Sequence, residues 1–165
     1  MNRMRKVLIA DDEVKVGQLV KRLIQWDRLG LTCIGLVTDG QTAYEKILSE
    51  SPDIVITDIR MPVLTGLEMI QKASEQGVKC HFIVVSGYKY FDYAQKALKY
   101  GVEDYLLKPI DEDELNRQLQ KIVAEEEQRE DKQQQVDQIE KKLEDSKYLR
   151  HKEFLRPVSY THLRA

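Results

Sequence analysis

Short apolar runs rich in β-branched residues alternate with longer segments of helical period over the first three quarters of the chain, the signature of a parallel sheet covered by helices. Five runs read as strands: Lys6 to Ala10, Thr32 to Val37, Ile54 to Thr57, His81 to Val85 and Asp104 to Leu107. Most are continuous rather than alternating in polarity, as expected of central strands buried on both faces. Between them, Val16, Leu19, Val20, Leu23 and Ile24 form one face of an amphipathic helix. Ala43, Tyr44, Ile47 and Leu48 mark a second helix, Leu67, Ile70 and Ala73 a third, and Phe91, Ala94 and Leu98 a fourth that Gly101 would terminate. Pro109 stops the last strand, and Asp111 with Glu114 resembles a capping box ahead of Leu115, Leu119, Ile122 and Val123. The pattern is five βα units.

Near Ala124 the pattern changes, because Glu125 to Gln135 contains no large apolar residue and cannot bury a core-facing stripe. The expected organisation is therefore a domain over 1–124 and a charged helical segment over 125–156. Val136, Ile139 and Leu143 recur at heptad-like offsets, which fits either a solvated linker helix or a weak dimerising coil. From Pro157 the pattern breaks into a tail, 157–165, that matches no element and reads as a scar or mistranslated end.

Composition narrows the function classes. Of 165 residues, 26 are basic and 28 acidic, giving a net charge of −2, so no overall excess points to DNA or an anionic membrane as partner. No apolar stretch approaches the ~20 residues of a membrane span, and Met1 to Lys6 leads into a strand rather than a signal-peptide core. A cytoplasmic protein is expected. Cys33 and Cys80 lie in apolar runs without a Cys-x-x-Cys pair, so buried reduced thiols are expected rather than a disulfide or a zinc site. Neither Gly-x-Gly-x-x-Gly nor Gly-x-x-x-x-Gly-Lys-Ser/Thr occurs, which disfavours nucleotide binding.

In an open parallel sheet, ligands bind beyond the carboxyl ends of the strands, where the winding direction reverses. Here strand one runs into Asp11 and Asp12, strand three into Asp58, strand four into Ser86 and strand five into Lys108-Pro109. Right-handed crossovers bring these residues to one edge. In the flavodoxin-like order 2-1-3-4-5, strands one and three are neighbours, so the three acids converge. Close carboxylate pairs repel by roughly 4 kcal/mol at ~4 Å with an effective dielectric of about 20. Lys108 supplies one positive charge, and a hard, partly hydrated Mg²⁺ would supply the rest. Taken singly, each residue has a plainer reading. Asp12 serves equally well as a helix cap, while Asp58 alone reads better as a turn residue and Ser86-Gly87 alone as a turn pair. Their joint placement at four strand ends is what favours function.

These residues resemble the receiver domain of two-component response regulators over roughly Arg5 to Ala124. The matching pieces occur in order: Ile9-Ala10-Asp11-Asp12-Glu13, Val55-Ile56-Thr57-Asp58-Ile59-Arg60-Met61-Pro62, Gly66, Val85-Ser86-Gly87 and Asp104-Tyr105-Leu106-Leu107-Lys108-Pro109. The resemblance implies that Asp58 takes a phosphoryl group from a phosphohistidine on a sensor histidine kinase. It also implies Mg²⁺ held by Asp11, Asp12, Asp58 and the backbone carbonyl of Arg60, with Lys108 neutralising charge. Ser86 and Tyr105 would form the switch, moving when the phosphoryl group arrives. Such a chain is a signalling phosphoacceptor rather than an enzyme, and a homodimer through the fourth and fifth elements or the linker helix is one partner to be considered.

A finer resemblance, in Ile24-Gln25-Trp26-Asp27-Arg28-Leu29-Gly30, Ser86-Gly87-Tyr88 and the charged helix ending near Phe154-Leu155, is to regulators with an AraC-type helix-turn-helix output domain. The chain stops where that output domain would begin, so DNA contact is expected only through the missing domain.

Two other classes compete. A constitutive interaction module would keep the fold without switching. A phosphohydrolase acting through Asp58 usually carries a second acid two residues later, and Arg60 stands there instead. Without the resemblance, Tyr105 and the run Tyr88, Tyr90, Tyr93 read as packing aromatics. His81, His151 and His162 are too scattered to form a metal set.

Overall fold

The computed structural model describes residues 3–87 and 102–154. The fourth helix and the tyrosine run expected between Tyr88 and Gly101, and the tail beyond Phe154, lie outside the described residues.

Five parallel strands form one sheet in the order β2-β1-β3-β4-β5: β1 (Arg5–Ala10), β2 (Leu31–Val37), β3 (Ile54–Thr57), β4 (His81–Ser86) and β5 (Val102–Leu107). This is the expected order, and the strands differ from the sequence expectation only by extension at their ends. β3 is buried along its whole length, which explains its unbroken apolar character. Leu8, Ala10, Val55, Phe82 and Val84 project to one face and pack with Ala43, Ile47, Met69, Ile70 and Ala73. The alternate residues Val7, Ile9, Ile54, Ile56, Ile83 and Val85 are buried on the opposite face.

The helices are α1 (Val14–Leu23), a single turn α2 (Trp26–Leu29), α3 (Gly40–Glu50), α4 (Gly66–Glu75) and α5 (Glu112–Phe154). Several starts are set by side-chain caps. Asp39 accepts from Thr42 N at the head of α3, and Thr65 and Glu68 close a reciprocal capping box at α4 that the sequence reading missed. Asp111 Oδ1 accepts from the backbone N–H groups of Asp113 and Glu114, one half of the box expected there. Three expectations are corrected. Leu48 is exposed, because the buried face of α3 is carried by Gly40, Ala43 and Ile47. The two cysteines are free but only half-buried, and burial together with the charge of Asp53 pushes the Cys80 thiol up to about 12. Ile24 is buried but lies beyond the helix, in an extended conformation.

The reason for the break at Ile24 is a side chain far downstream on α5. Asn116 on α5 is 3% exposed. Its Nδ2 donates to Leu23 O and Glu112 O, each at 2.8 Å, while its Oδ1 accepts from Gln25 N at 2.8 Å. The last carbonyl of α1 and the first free amide after it are thus paired without helix continuation, and the chain is released to form α2.

By internal contacts the chain divides into two units, Met1–Ile122 and Val123–Ala165. In the second unit, α5 continues as a charged helix on which Val136, Ile139 and Leu143 stand exposed.

Replacing Asn116 with Ala removes the side-chain partners of the partly buried Gln25 amide and Leu23 carbonyl, which together costs about 1–3 kcal/mol. Urea denaturation of Asn116→Ala is therefore expected to show a loss of about 1–3 kcal/mol. A loss below ~0.5 kcal/mol would mean that water replaces the amide and that the elbow is held by other contacts.

Candidate functional site

Each site residue sits where a central strand stops. Asp11 follows β1 and is held by a bond from its own N–H to Val37 O at 3.0 Å, and Asp58 follows β3 with its N–H on Ala10 O at 2.9 Å. These are the sheet's own ladder bonds carried one residue further, so parallel pairing of β1 with β2 and β3 delivers both acids to the same edge. Ser86 ends β4, and its carbonyl accepts from Lys108 N at 2.9 Å, which ties the residue after β5 to the same row. The Lys108–Pro109 peptide is cis.

Oxygen atoms of Asp11, Asp12 and Asp58 lie within 4.8 Å of one another. Lys108 Nζ donates to Asp58 Oδ2 at 3.0 Å and lies 3.3 Å from Asp11 Oδ2. Asp58 Oδ1 accepts from Ile59 N at 2.7 Å, and Asp11 Oδ1 from Glu13 N at 2.9 Å. Asp11 and Asp58 are buried, whereas Asp12 is exposed. The surrounding cleft, of about 380 Å³, is lined by Asp12, Glu13, Asp58, Arg60, Ser86, Gly87 and Lys108.

The charges do not balance within the protein. Burial pushes the Asp11 carboxyl up from 3.8 to about 6; the amide of Glu13 opposes this, the charge of Asp58 adds to it and Lys108 offsets part. Burial acts against the charged form of Lys108, but its bond to Asp58 and the charges of Asp58 and Asp11 raise it above its ordinary value all the same. Three carboxylates and one ammonium leave a deficit of positive charge, and every side-chain donor in the cluster is a hard oxygen. That donor set suits a hard divalent cation rather than zinc or copper.

Ser86 is 1% exposed, and among the described residues its Oγ meets no well-aligned hydrogen-bond partner. The Tyr105 hydroxyl donates to Gly87 O at 3.1 Å, with the Ser86 side chain close by. Burial raises the Tyr105 phenol. All seven residues expected from sequence, Asp11, Asp12, Asp58, Arg60, Ser86, Tyr105 and Lys108, lie at or beside this edge. Asp12 does not cap α1: that position belongs to Glu13, which makes no side-chain cap bond.

Sequence reading missed the residues that shape the cleft through the backbone. A Cβ on Gly66 would fall 2.0 Å from Asp58 O, so only glycine allows α4 to start against the strand end. A Cβ on Gly40 would fall 1.8 Å from Leu64 O. The position of Gly66 was visible as part of a motif, but nothing in a single sequence signals that Gly40 meets Leu64.

A family model described as the response regulator receiver domain matches residues 7–120. Over 122 residues the chain is 46% identical to a Bacillus subtilis (strain 168) protein named as an uncharacterized transcriptional regulatory protein, YesN, which covers 74% of this chain and 33% of that one. It is 35% identical over 120 residues to the transcriptional regulatory protein HptR of Staphylococcus aureus, covering 73% of this chain and 47% of the other. The chain thus spans between a third and a half of the length of these curated relatives. Among solved structures it is similar to the REC domain of AraT, a response regulator from Geobacillus stearothermophilus, with a TM-score of 0.73 at 36% identity over 77% of this chain and 98% of that one.

The raised Asp11 carboxyl is a statement about stability. A folded-state value of about 6 against 3.8 means that the folded protein binds more protons between those limits, so metal-free stability is full below 3.8 and declines as pH rises through about 6. Asp11→Asn, which keeps the acceptor for Glu13 N, is expected to stabilise the metal-free protein near neutral pH by about 1–2 kcal/mol. In urea titrations with a chelator the gain should shrink on acidification and vanish at the acid end. A gain independent of pH would show that packing, not charge, is responsible.

Proposed function

The chain belongs to the response regulator receiver domain family, and from that premise we propose that Asp58 is its phosphoryl acceptor, charged by a sensor histidine kinase. The reading is carried by one observation: Asp58, buried at the end of a central strand, shares Lys108 with Asp11 and clusters with Asp12 at the edge of an open cleft. In the transfer, a carboxylate oxygen of Asp58 bonds to the phosphorus of a phosphohistidine. The phosphorus–nitrogen bond breaks, its electron pair returns to the imidazole, and an acyl phosphate remains on Asp58. Lys108 stands beside the acceptor oxygen and offsets charge on the transferred group. Ser86 offers a buried hydroxyl beside Tyr105 that can donate to an incoming acceptor oxygen. The phosphoryl group brings such acceptors, so Ser86 turns toward it and Tyr105 leaves Gly87 for the space vacated.

Mg²⁺ fits the cation that the cluster calls for, with Asp11, Asp12, Asp58 and the carbonyl of Arg60 as its protein ligands. When bound, it neutralises charge on the phosphoryl oxygens and holds them in line for transfer. Asp11 must ionise to take part, so binding is expected to weaken as pH falls through about 6.

The wider role follows the relatives. The names of YesN and HptR support control of transcription as the task of the longer proteins, with DNA contact made by a separate output segment. Among the described residues no helix is long and apolar enough to cross a membrane; the receiver-family match supports a cytoplasmic setting. The exposed Val136, Ile139 and Leu143 on α5 support a linker helix on which two copies associate.

Incubation with acetyl phosphate and Mg²⁺ followed by intact-mass measurement tests the acceptor. The wild-type protein should gain one phosphoryl adduct that is lost under mild alkali, whereas Asp58→Asn and chelator-treated samples should gain none. An identical adduct on Asp58→Asn would overturn the assignment.

A further inference from the structure

The segment between Asp58 and α4 is fixed at both ends by backbone contacts, and the far end depends on a residue outside the site. At the near end, Gly66 N donates to Ile59 O at 2.7 Å, and Gly66 sits against Asp58 O so closely that no side chain fits. At the far end, Leu64 N donates to Pro62 O at 2.8 Å, which closes a γ-turn over Val63 with φ 71°. A β-branched residue rarely occupies that region. Val63 is also 82% exposed, so no burial of its own side chain offsets the strain. The same Pro62 carbonyl accepts from Gly40 N at 3.3 Å. Gly40, the first residue of α3, presses on the backbone of Leu64 where a Cβ would come within 1.8 Å of its oxygen.

We infer that Gly40 and the Val63 turn are positioning residues for the metal ligand in the loop: α3 braces the strained turn and so sets where the Arg60 carbonyl points. Arg60 lies between the two anchors, its neighbours Ile59 and Met61 are buried, and its own side chain is exposed at the cleft. The loop therefore has little freedom except at the turn. Strain held by surrounding structure at such a point is a means of preorganisation. The inference rests on the reading of Arg60 as a metal ligand, and the test separates the two.

Two variants move the turn in opposite ways. Gly40→Ala crowds Leu64 and displaces the loop. Val63→Gly removes the strain and slackens it while deleting almost no buried surface. Mg²⁺ affinity is measured by calorimetry, stability by urea denaturation without metal, and loop position by the amide resonances of Ile59 to Thr65. Loss of groups that orient a metal ligand typically weakens binding 10–100-fold. Gly40→Ala is accordingly expected to bind Mg²⁺ roughly tenfold more weakly, and Val63→Gly at least about threefold more weakly, each with shifted loop amides. Val63→Gly should meanwhile be as stable as wild type, so affinity and stability part company, which a merely structural role would not produce. If Gly40→Ala fails to fold, Val63→Gly decides alone. Unchanged Mg²⁺ affinity in Val63→Gly, with the wild type binding normally, overturns this inference and leaves the metal site standing. Absence of Mg²⁺ binding in the wild type overturns the metal reading and this inference with it.

Discussion

Three carboxylates within 4.8 Å of one another, with one lysine between two of them, form an arrangement that the chain holds against its own electrostatics. At an effective dielectric of about 20, a close like-charge pair costs roughly 4 kcal/mol, a large part of the net stability of any domain. The sheet bears this cost because the acids occupy the first positions past two strands buried on both faces, where the ladder bonds to Val37 O and Ala10 O leave the backbone no room to retreat. Proton uptake by Asp11 is one release for the stress. A divalent cation is another, and it answers the charge deficit without neutralising the acceptor.

The surrounding structure keeps that stress local. Glycines at 40 and 66 let two helices approach the loop after β3 more closely than any side chain permits, and the loop between them is defined by backbone contact rather than by packing of large groups. On the other side of the molecule, Asn116 performs a related service with a side chain, pairing the end of α1 and the start of the next turn so that α5 is seated by directed bonds as well as by apolar contact. At the edge that carries the acids, the Ser86 hydroxyl is buried beside Tyr105, whose own hydroxyl donates to Gly87 O.

Much of this was legible in the chain. Continuous apolar runs at βα spacing imply a parallel sheet covered on both faces, and strand ends carrying Asp11-Asp12, Asp58, Ser86 and Lys108 imply a polar edge, because side-chain period and crossover hand are local, general constraints. Residue types told the chemistry, since hard oxygen donors beside a lysine admit few ligands. The end of α1 was misplaced by one residue at Ile24 because its stop signal is Asn116, which no local window contains. The exposure of Leu48 and the partial exposure of both cysteines likewise depend on how far each helix is rotated against the sheet.

The sequence by itself determined the strand count, the pattern of burial and the identity of the groups at the sheet edge, because these follow from periodicity and side-chain chemistry within short stretches. Only the tertiary structure decided which oxygen Lys108 meets, that Asp11 is buried where Asp12 is exposed, and that the buried Ser86 hydroxyl stands beside Tyr105. The same holds for the approach of Gly40 to Leu64. Those properties are distances between residues remote in sequence, set by the register of one strand on the next and the close approach of helices, and they have no counterpart in the order of residues along the chain.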